Sequence, residues 1–584
     1  MTVTNSYFFS DKMGFKSKLL NLKEYAVNSM IYNTYYNDDL DEKLVYLESR
    51  DGLDFTGNIF RIVEELSTGD YGDLKIYVHA KPHVVDKIKD YQKNYNLHID
   101  KIITKEAMAT RILEKAKYIF TDSGIRPKYV KKEGQIFINT WHGTPLKLMG
   151  KYNTPEEYRL GNSQHPLLSS DYLLYPNQYM KEKMIKSYMI DKIYSGKILM
   201  EGYPRNSVFL KESWLKEKLD LSDYDIFVYM PTFRGILMDR DDDIQKNDVE
   251  SYLSELDIKL KDNQILFAKL HVLNGANIDF DKFNHIEPFP EGYEVYDVLN
   301  MADVLITDYS SVFFDFANTH RKIILFNYDE DDYVSYRDFY LSLSELPFPK
   351  VQTVDELYHE LNSPINYDDN EFFNTYCTYD NPNAANNICR HIFKDEKVCK
   401  EESIENKNPN ILIYAGSFDD PAVYSSLMEM IKELNREDFN FFITFKQWDE
   451  YISINHEEIF KQIPEDIGVL PLRFDLTPTI KEKIAYDKYF SSKQSDFPAL
   501  LEKLFKRSFE KQFGNVKWDK LIDFCVNDLN EALMFSKCGI VNDILIRSMD
   551  EKDIPQNILK EICKNNNVYV VSQDLIKSLS LCND

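Results

Sequence analysis

Four stretches of this sequence place reactive or ligand-holding side chains where an apolar strand gives way to a loop. Trp141-His142-Gly143-Thr144-Pro145 follows the apolar run Ile136 to Ile138, which puts His142 in a tight loop at a strand end. Imidazole titrates near neutrality and can accept a proton from an attacking hydroxyl. In a loop it can equally serve as a structural hydrogen-bonding group. Gly143 and Pro145 favour a shaped loop whose backbone approaches a ligand closely. Tyr229-Met230-Pro231-Thr232-Phe233-Arg234-Gly235 offers Arg234 as a bidentate phosphate clamp and Thr232 as a hydroxyl donor, or else an ordinary surface turn. Lys269-Leu270-His271 closes the run from Gln264. There His271, protonated, would neutralise a phosphate or assist a leaving group; neutral, it would donate one hydrogen bond. In Ile306-Thr307-Asp308-Tyr309-Ser310-Ser311 a strand runs into hydroxyl residues that open a helix. Free N–H groups, a positive dipole end and hydroxyl donors together make a phosphate site that needs no lysine. The alternative is a plain N-cap by Ser310.

Short buried strands alternating with helices must position these loops. Leu44 to Leu47, Leu74 to Val78, Ile102 to Ile103, Tyr118 to Thr121, Gln135 to Thr140, Tyr172 to Tyr175 and Lys197 to Met200 read as strands of one α/β unit. Ile226 to Met230, Gln264 to Leu270, Asp303 to Thr307 and Lys322 to Asn327 read as those of a second. A third region opens with Ile411 to Tyr414, helix Ala422 to Leu434 and strand Phe439 to Thr444. In open α/β sheets ligands lie beyond the carboxyl ends of the strands, which is where the four motifs fall. Two Rossmann-like lobes facing each other across a cleft are expected. The expected division is 1–40, 41–206, 207–396, a linker at 397–409, and 410–584.

The chain has 584 residues, enough for three or four domains at about 150 residues each. With 96 acidic and 70 basic side chains it carries a net charge of −26, which excludes wholesale adhesion to nucleic acid. An anionic ligand must be held by a local site. Seven cysteines, the first at Cys377, contain no CxxC pair and read as reduced thiols of a cytoplasmic protein without a zinc site. Neither a secretory signal nor a membrane span is expected. Between Phe8 and Tyr36, Phe15, Leu19, Leu22, Ala26 and Met30 recur at helical spacing beside Lys12, Lys16, Lys18 and Lys23. Such a segment either packs on the next domain or lies in a membrane surface.

The motifs Trp141-His142-Gly143-Thr144-Pro145-Leu146-Lys147, Gly202-Tyr203-Pro204-Arg205-Asn206, Pro231-Thr232-Phe233-Arg234, Lys269-Leu270-His271 and Ile306-Thr307-Asp308-Tyr309-Ser310-Ser311 with Phe314-Asp315 occur in order. Over residues 42 to 395 the sequence resembles the CDP-glycerol glycerophosphotransferases and related ribitol-phosphate and capsule polymerases. The resemblance implies a GT-B-like fold with donor binding in the second lobe and catalysis in the interlobe cleft. It also implies that His142 is the base and that Arg234, His271, Ser310 and Ser311 hold the donor pyrophosphate. Thr232, Thr307 and Asp315 are secondary, Gly143 shapes the loop, and Asp308 and Asp315 are the carboxylates to consider should a divalent metal be required.

The implied partners are CDP-glycerol or CDP-ribitol and a lipid-linked or polymeric polyol-phosphate acceptor, with CMP released and the N-terminal segment attaching the enzyme to the inner face of the membrane. The same cleft would suit a nucleotide-sugar glycosyltransferase, and the fold alone a non-catalytic polymer-binding envelope protein. Residues 410–584 are similar to the N-terminal half of a GT-B glycosyltransferase at Ile411 to Gly416, Lys506-Arg507 and Phe513 to Asp519. With no second donor lobe following, they read as an accessory or acceptor-binding module.

Overall fold

Short apolar runs become the central strands of three sheets. The computed structural model describes residues 36–126, 129–153, 160–232, 242–270, 278–330, 338–416, 421–446, 461–472, 476–491, 496–524, 528–540, 542–546, 555–564 and 566–570. The helical stretch expected between Phe8 and Tyr36 lies outside them up to residue 35, as do Arg234 and His271.

The first sheet contains β1 (Asp41–Glu48), β2 (Lys75–His79), β3 (Lys101–Ile103), β4 (Ala116–Thr121), β5 (Ile136–Asn139), β6 (Tyr172–Tyr175) and β7 (Lys197–Met200). The second contains β8 (Asp225–Tyr229), β9 (Gln264–Ala268), β10 (Ile286–Pro288), β11 (Val304–Thr307), β12 (Lys322–Phe326) and β13 (Lys350–Val351). Next come β14 (Lys400–Glu402) and a third sheet of β15 (Asn410–Tyr414), β16 (Asn440–Lys446), β17 (Gly468–Leu472), β18 (Lys520–Asp523), β19 (Asn542–Ile546) and β20 (Asn567–Val570).

The spatial orders are β14-β7-β6-β5-β4-β1-β2-β3, β10-β9-β8-β11-β12-β13 and β17-β16-β15-β18-β19-β20. In each sheet the chain starts at a central strand, builds outward to one side, then returns and builds to the other. The crevice between the first and fourth strands of each unit is the topological switch point where ligands settle. Val45, Tyr46 and Leu47 in β1 and Ile323, Ile324 and Leu325 in β12 are fully buried, as continuous apolar strands covered by helices on both faces must be.

The structure differs from the sequence reading between the second and third units. Lys400–Glu402, read as linker, pairs antiparallel with Ile198–Met200 and closes the edge of the first sheet. The helix Ala384–Phe393, read as the end of the second lobe, crosses back onto the helix Gly57–Leu66, with Asn386 Nδ2 donating to Glu65 Oε1 at 2.8 Å and Phe393 stacked on Phe120. An exposed β7 edge would be a site of unwanted strand pairing; a charged strand such as Lys-Glu-Glu covers it.

The third unit shares one apolar core with the first lobe, as the buried side chains of both form a continuous cluster. Gln164 Nε2 donates to the Val469 carbonyl at 2.9 Å, and Gly514, at φ +58, lies so close to Leu168 that a Cβ would stand 2.5 Å from its carbonyl oxygen. Among the described residues no helix is long and apolar enough to cross a membrane.

Candidate functional site

The loop after β5 is strained in a way that aims one imidazole. Trp141 has φ 52, a left-handed conformation costing a bulky residue about 1–2 kcal/mol. Its backbone is held there from both sides. Trp141 N donates to Asn139 Oδ1 at 2.9 Å, while its carbonyl accepts from Thr140 Oγ1 at 3.0 Å and Asn58 Nδ2 at 3.3 Å. The indole stacks on the His142 ring, with centroids 4.6 Å apart and planes at 21°.

His142 Nδ1 lies 2.7 Å from the Asp122 carbonyl oxygen. A carbonyl only accepts, so Nδ1 carries the proton and Nε2 keeps its lone pair. His142 keeps access to solvent, yet protein crowds its ring. That enclosure, together with the Arg50 and Arg205 guanidiniums, outweighs the Asp122 carbonyl and pushes the imidazole pKa down to about 4. The ring is a neutral base at physiological pH.

Asp122 is buried, and burial pushes its carboxyl up to about 6. Its carboxylate accepts from Ser49 Oγ and Arg50 N, each at 2.7 Å, tying the loop after β1 to the loop after β4. Asp308 repeats this latch in the second lobe. Buried at the end of β11, it accepts from Thr232 N at 2.8 and 3.0 Å and from Tyr309 N at 2.5 Å. Thr307 Oγ1, also buried, donates to the Met230 carbonyl at 2.7 Å. These two side chains therefore shape the start of the Pro231-Thr232-Phe233-Arg234 loop from inside.

Ser310 and Ser311 face outward more. Both are half-buried, and among the described residues neither hydroxyl takes part in a hydrogen bond. Ser311, not Ser310, is the N-cap of the helix Val312–Phe316, and it makes no side-chain capping bond. The helix has five residues, so what it presents is a few aligned N–H groups and two hydroxyls rather than a long macrodipole.

Arg205 fastens the two halves of the site. Nη1 donates to the His142 carbonyl at 2.8 Å, and Nη2 reaches both Asp315 oxygens at 3.0 and 2.8 Å. The guanidinium sits 4.7 Å from the Tyr203 ring centre and 5.0 Å from that of Tyr296, whose hydroxyl also donates to Asp315. Gly143 meets the second lobe directly. A Cβ there would lie 3.0 Å from Ser311 Oγ and 3.5 Å from Arg205 Nη2. Gly143→Ala is expected to press its methyl on Ser311 Oγ and shift the His142 loop, lowering turnover about tenfold, the rate equivalent of about 1.4 kcal/mol on the barrier; a steady-state assay checks it.

The structure thus brings His142, Gly143 and Ser311 together, with Ser310 beside them. It turns Thr307, Asp308 and Asp315 inward, so Asp315 is a structural partner of Arg205 and not a free donor ligand. Among the described residues no group of three His, Cys, Asp or Glu side chains could hold a metal ion. Lys269, two residues before His271, has its ammonium 4.9 Å from the Phe289 ring centre. Burial, Lys87 and Arg50 push its pKa down, so Arg50 acts on Lys269 and His142 alike. Sequence reasoning missed Asp122, Arg50 and the role of Arg205. A signal for Asp122 was present: Thr121-Asp122-Ser123 repeats the Thr-Asp step of Thr307-Asp308, each at the end of the fourth strand of its sheet.

Two facing doubly wound lobes with a neutral histidine on one and open hydroxyls on the other define a GT-B-like transferase. The profile of the family CDP-Glycerol:Poly(glycerophosphate) glycerophosphotransferase matches residues 30–394, and the chain belongs to that family. It is 30% identical over 309 residues to the teichoic acid poly(glycerol phosphate) polymerase of Staphylococcus epidermidis, covering 46% of this chain and 40% of that one. To the polymerase of the same description from Bacillus spizizenii it is 27% identical over 382 residues, 60% of this chain and 92% of that one. In three dimensions it matches the wall teichoic acid polymerase TagF with a TM-score of 0.54 at 24% identity, over 65% of this chain and 97% of the other, which establishes the shared fold.

Proposed function

We propose that this chain moves a polyol phosphate, glycerol phosphate foremost, from a CDP-activated donor to the terminal hydroxyl of a lipid-linked or polymeric polyol-phosphate acceptor of teichoic-acid type. The observation that carries the reading is the state of His142: Nδ1–H engaged by a carbonyl, Nε2 a free base, and its neighbour Gly143 against Ser311 of the facing lobe. The acceptor hydroxyl attacks the phosphorus bearing the donor polyol, and Nε2 takes the hydroxyl proton. The bond from that phosphorus to the bridging oxygen breaks, and CMP leaves with that oxygen. Ser310, Ser311, Arg234 and His271 hold the pyrophosphate and meet the charge that builds on it. In this reading the first lobe carries the acceptor side and the second lobe the donor side. The lysine-bearing segment between Phe8 and Tyr36 attaches a cytoplasmic enzyme to the inner membrane face.

A donor panel tests the proposal. CDP-glycerol, CDP-ribitol and a set of nucleotide sugars are each incubated with enzyme and acceptor, the nucleotide released is identified, and the product is weighed by mass spectrometry. CMP release with growth of the acceptor by polyol-phosphate units is expected. Release of UDP or GDP from sugars instead would make the chain a glycosyltransferase, and no release from any donor a binding protein. Arg234→Ala is expected to weaken CDP-glycerol binding at least about tenfold, consistent with the loss of a charge-assisted bidentate clamp. Unchanged affinity by calorimetry would remove Arg234 from the donor site.

A further inference from the structure

A cavity of about 460 Å³ opens on the third unit, away from the interlobe site. Lys503, Lys506, Lys537 and Lys564 line it with a single acidic side chain, Glu502, on a protein whose net charge is −26. Lys503 and Lys506 lie three residues apart on the helix Ala499–Phe513, so they share a face; both are exposed, and neither makes an ion pair among the described residues. Lys537 and Lys564 flank Glu561, at 2.5 and 3.7 Å, so one further carboxylate offsets part of the charge and leaves a surplus of cations. Ser536 adds a hydroxyl that is buried and has no hydrogen-bond partner among the described residues.

The cavity's place in the sheet excludes a second nucleotide site. Its lining includes Gly539 and Ile540, which lead into β19, and Lys564 and Asn566, which lead into β20. It therefore lies at the amino ends of these strands, whereas doubly wound sheets hold nucleotides beyond the carboxyl ends. A concave site whose cations are spread over three segments suits a flexible chain with several phosphates, since each lysine can neutralise a different one. A flat or convex lysine face would suit a bilayer.

We infer that this pocket binds a phosphodiester-linked anionic chain, the polyol-phosphate acceptor or product. The identity of that chain rests on the transfer reading above. The pocket retains the polymer between additions, so that product length depends on it while the transfer step itself does not.

The test uses the full-length protein, a synthetic glycerol-phosphate oligomer, inorganic phosphate and phosphatidylglycerol vesicles. Lys503→Ala/Lys506→Ala is expected to weaken oligomer binding by about tenfold or more at low salt, to flatten its salt dependence, and to shorten the polymer made while leaving the first addition unchanged. Lys503→Arg/Lys506→Arg keeps the charge and should restore binding. Both positions are exposed, and a melting curve confirms the fold. Equal oligomer affinity for wild type and the Ala variant would overturn the inference, as would binding of vesicles or inorganic phosphate alone. Lysine-dependent oligomer binding by a wild-type protein that releases no CMP from any donor would sustain the pocket and overturn the transfer reading. CMP release with lysine-independent oligomer binding would do the reverse.

Discussion

Replacing His142 with alanine is expected to lower polyol-phosphate transfer by about 10²- to 10⁴-fold while leaving affinity for the CDP-linked donor intact. The selectivity follows from position. The ring belongs to the first lobe, and the groups assigned to the donor lie on the second, so removing it withdraws the proton acceptor and its stack on Trp141 while those groups stay in place. The pH dependence is a second readout. Because the pKa of the free enzyme's imidazole is pushed down to about 4, the base form persists through neutrality. The acid limb of kcat/KM should therefore fall below about pH 4, not near the 6.5 of a free histidine, and this limb should vanish in the variant. Near-wild-type turnover by His142→Ala in a radiolabelled CDP-glycerol assay would sink the assignment.

The second large effect is expected at Arg205, which touches no proposed ligand. Its guanidinium is buried with Asp315 between two tyrosine rings. Arg205→Ala would leave a buried carboxylate without its cation, a change that costs about 3–5 kcal/mol of stability. It would also release the His142 carbonyl, so turnover should fall with it. Arg205→Ala/Asp315→Ala removes both charges and should recover about 1–3 kcal/mol of the loss, an interaction energy readable from a urea double-mutant cycle. Additive losses in the cycle would show that the pair is not coupled. Arg205→Lys should sit between wild type and alanine, because an ammonium cannot serve the carboxylate in a fork and the His142 carbonyl at once.

The sequence made the strand ends legible because local rules govern them. Apolar runs bounded by polar turns marked β1 to β9, β11, β12, β15 and β16, and the motif loops follow directly from those ends. It was least informative where a residue's meaning depends on what lies across the fold. Asp315 looks like a ligand in its own segment and becomes a structural anion only because Arg205, 110 positions earlier in the chain, reaches it. Thr307 likewise reads as a ligand of the donor, and Asp308 as a carboxylate for a metal, until β8 is placed beside β11. Lys400-Glu401-Glu402 has linker composition throughout, and no local rule turns three charged residues into a sheet edge. Three sheets of one winding order share no sequence repeat, since the order is fixed by chain connectivity and by burial, which many sequences satisfy.

The pairing of Lys400–Glu402 with Ile198–Met200 also sets a schedule for synthesis. The first lobe emerges from the ribosome with its β7 edge bare, and it stays so until some two hundred further residues have been made. Chains fold from the N-terminus at about 5–20 residues per second, so that edge would remain open for about 10–40 seconds, while the second lobe has time to form. Any stall within residues 207–396 prolongs the exposure of an open strand, the kind of surface on which nascent chains associate with one another. For this protein, then, the speed of translation through the second lobe bears on the yield of a correctly closed first lobe.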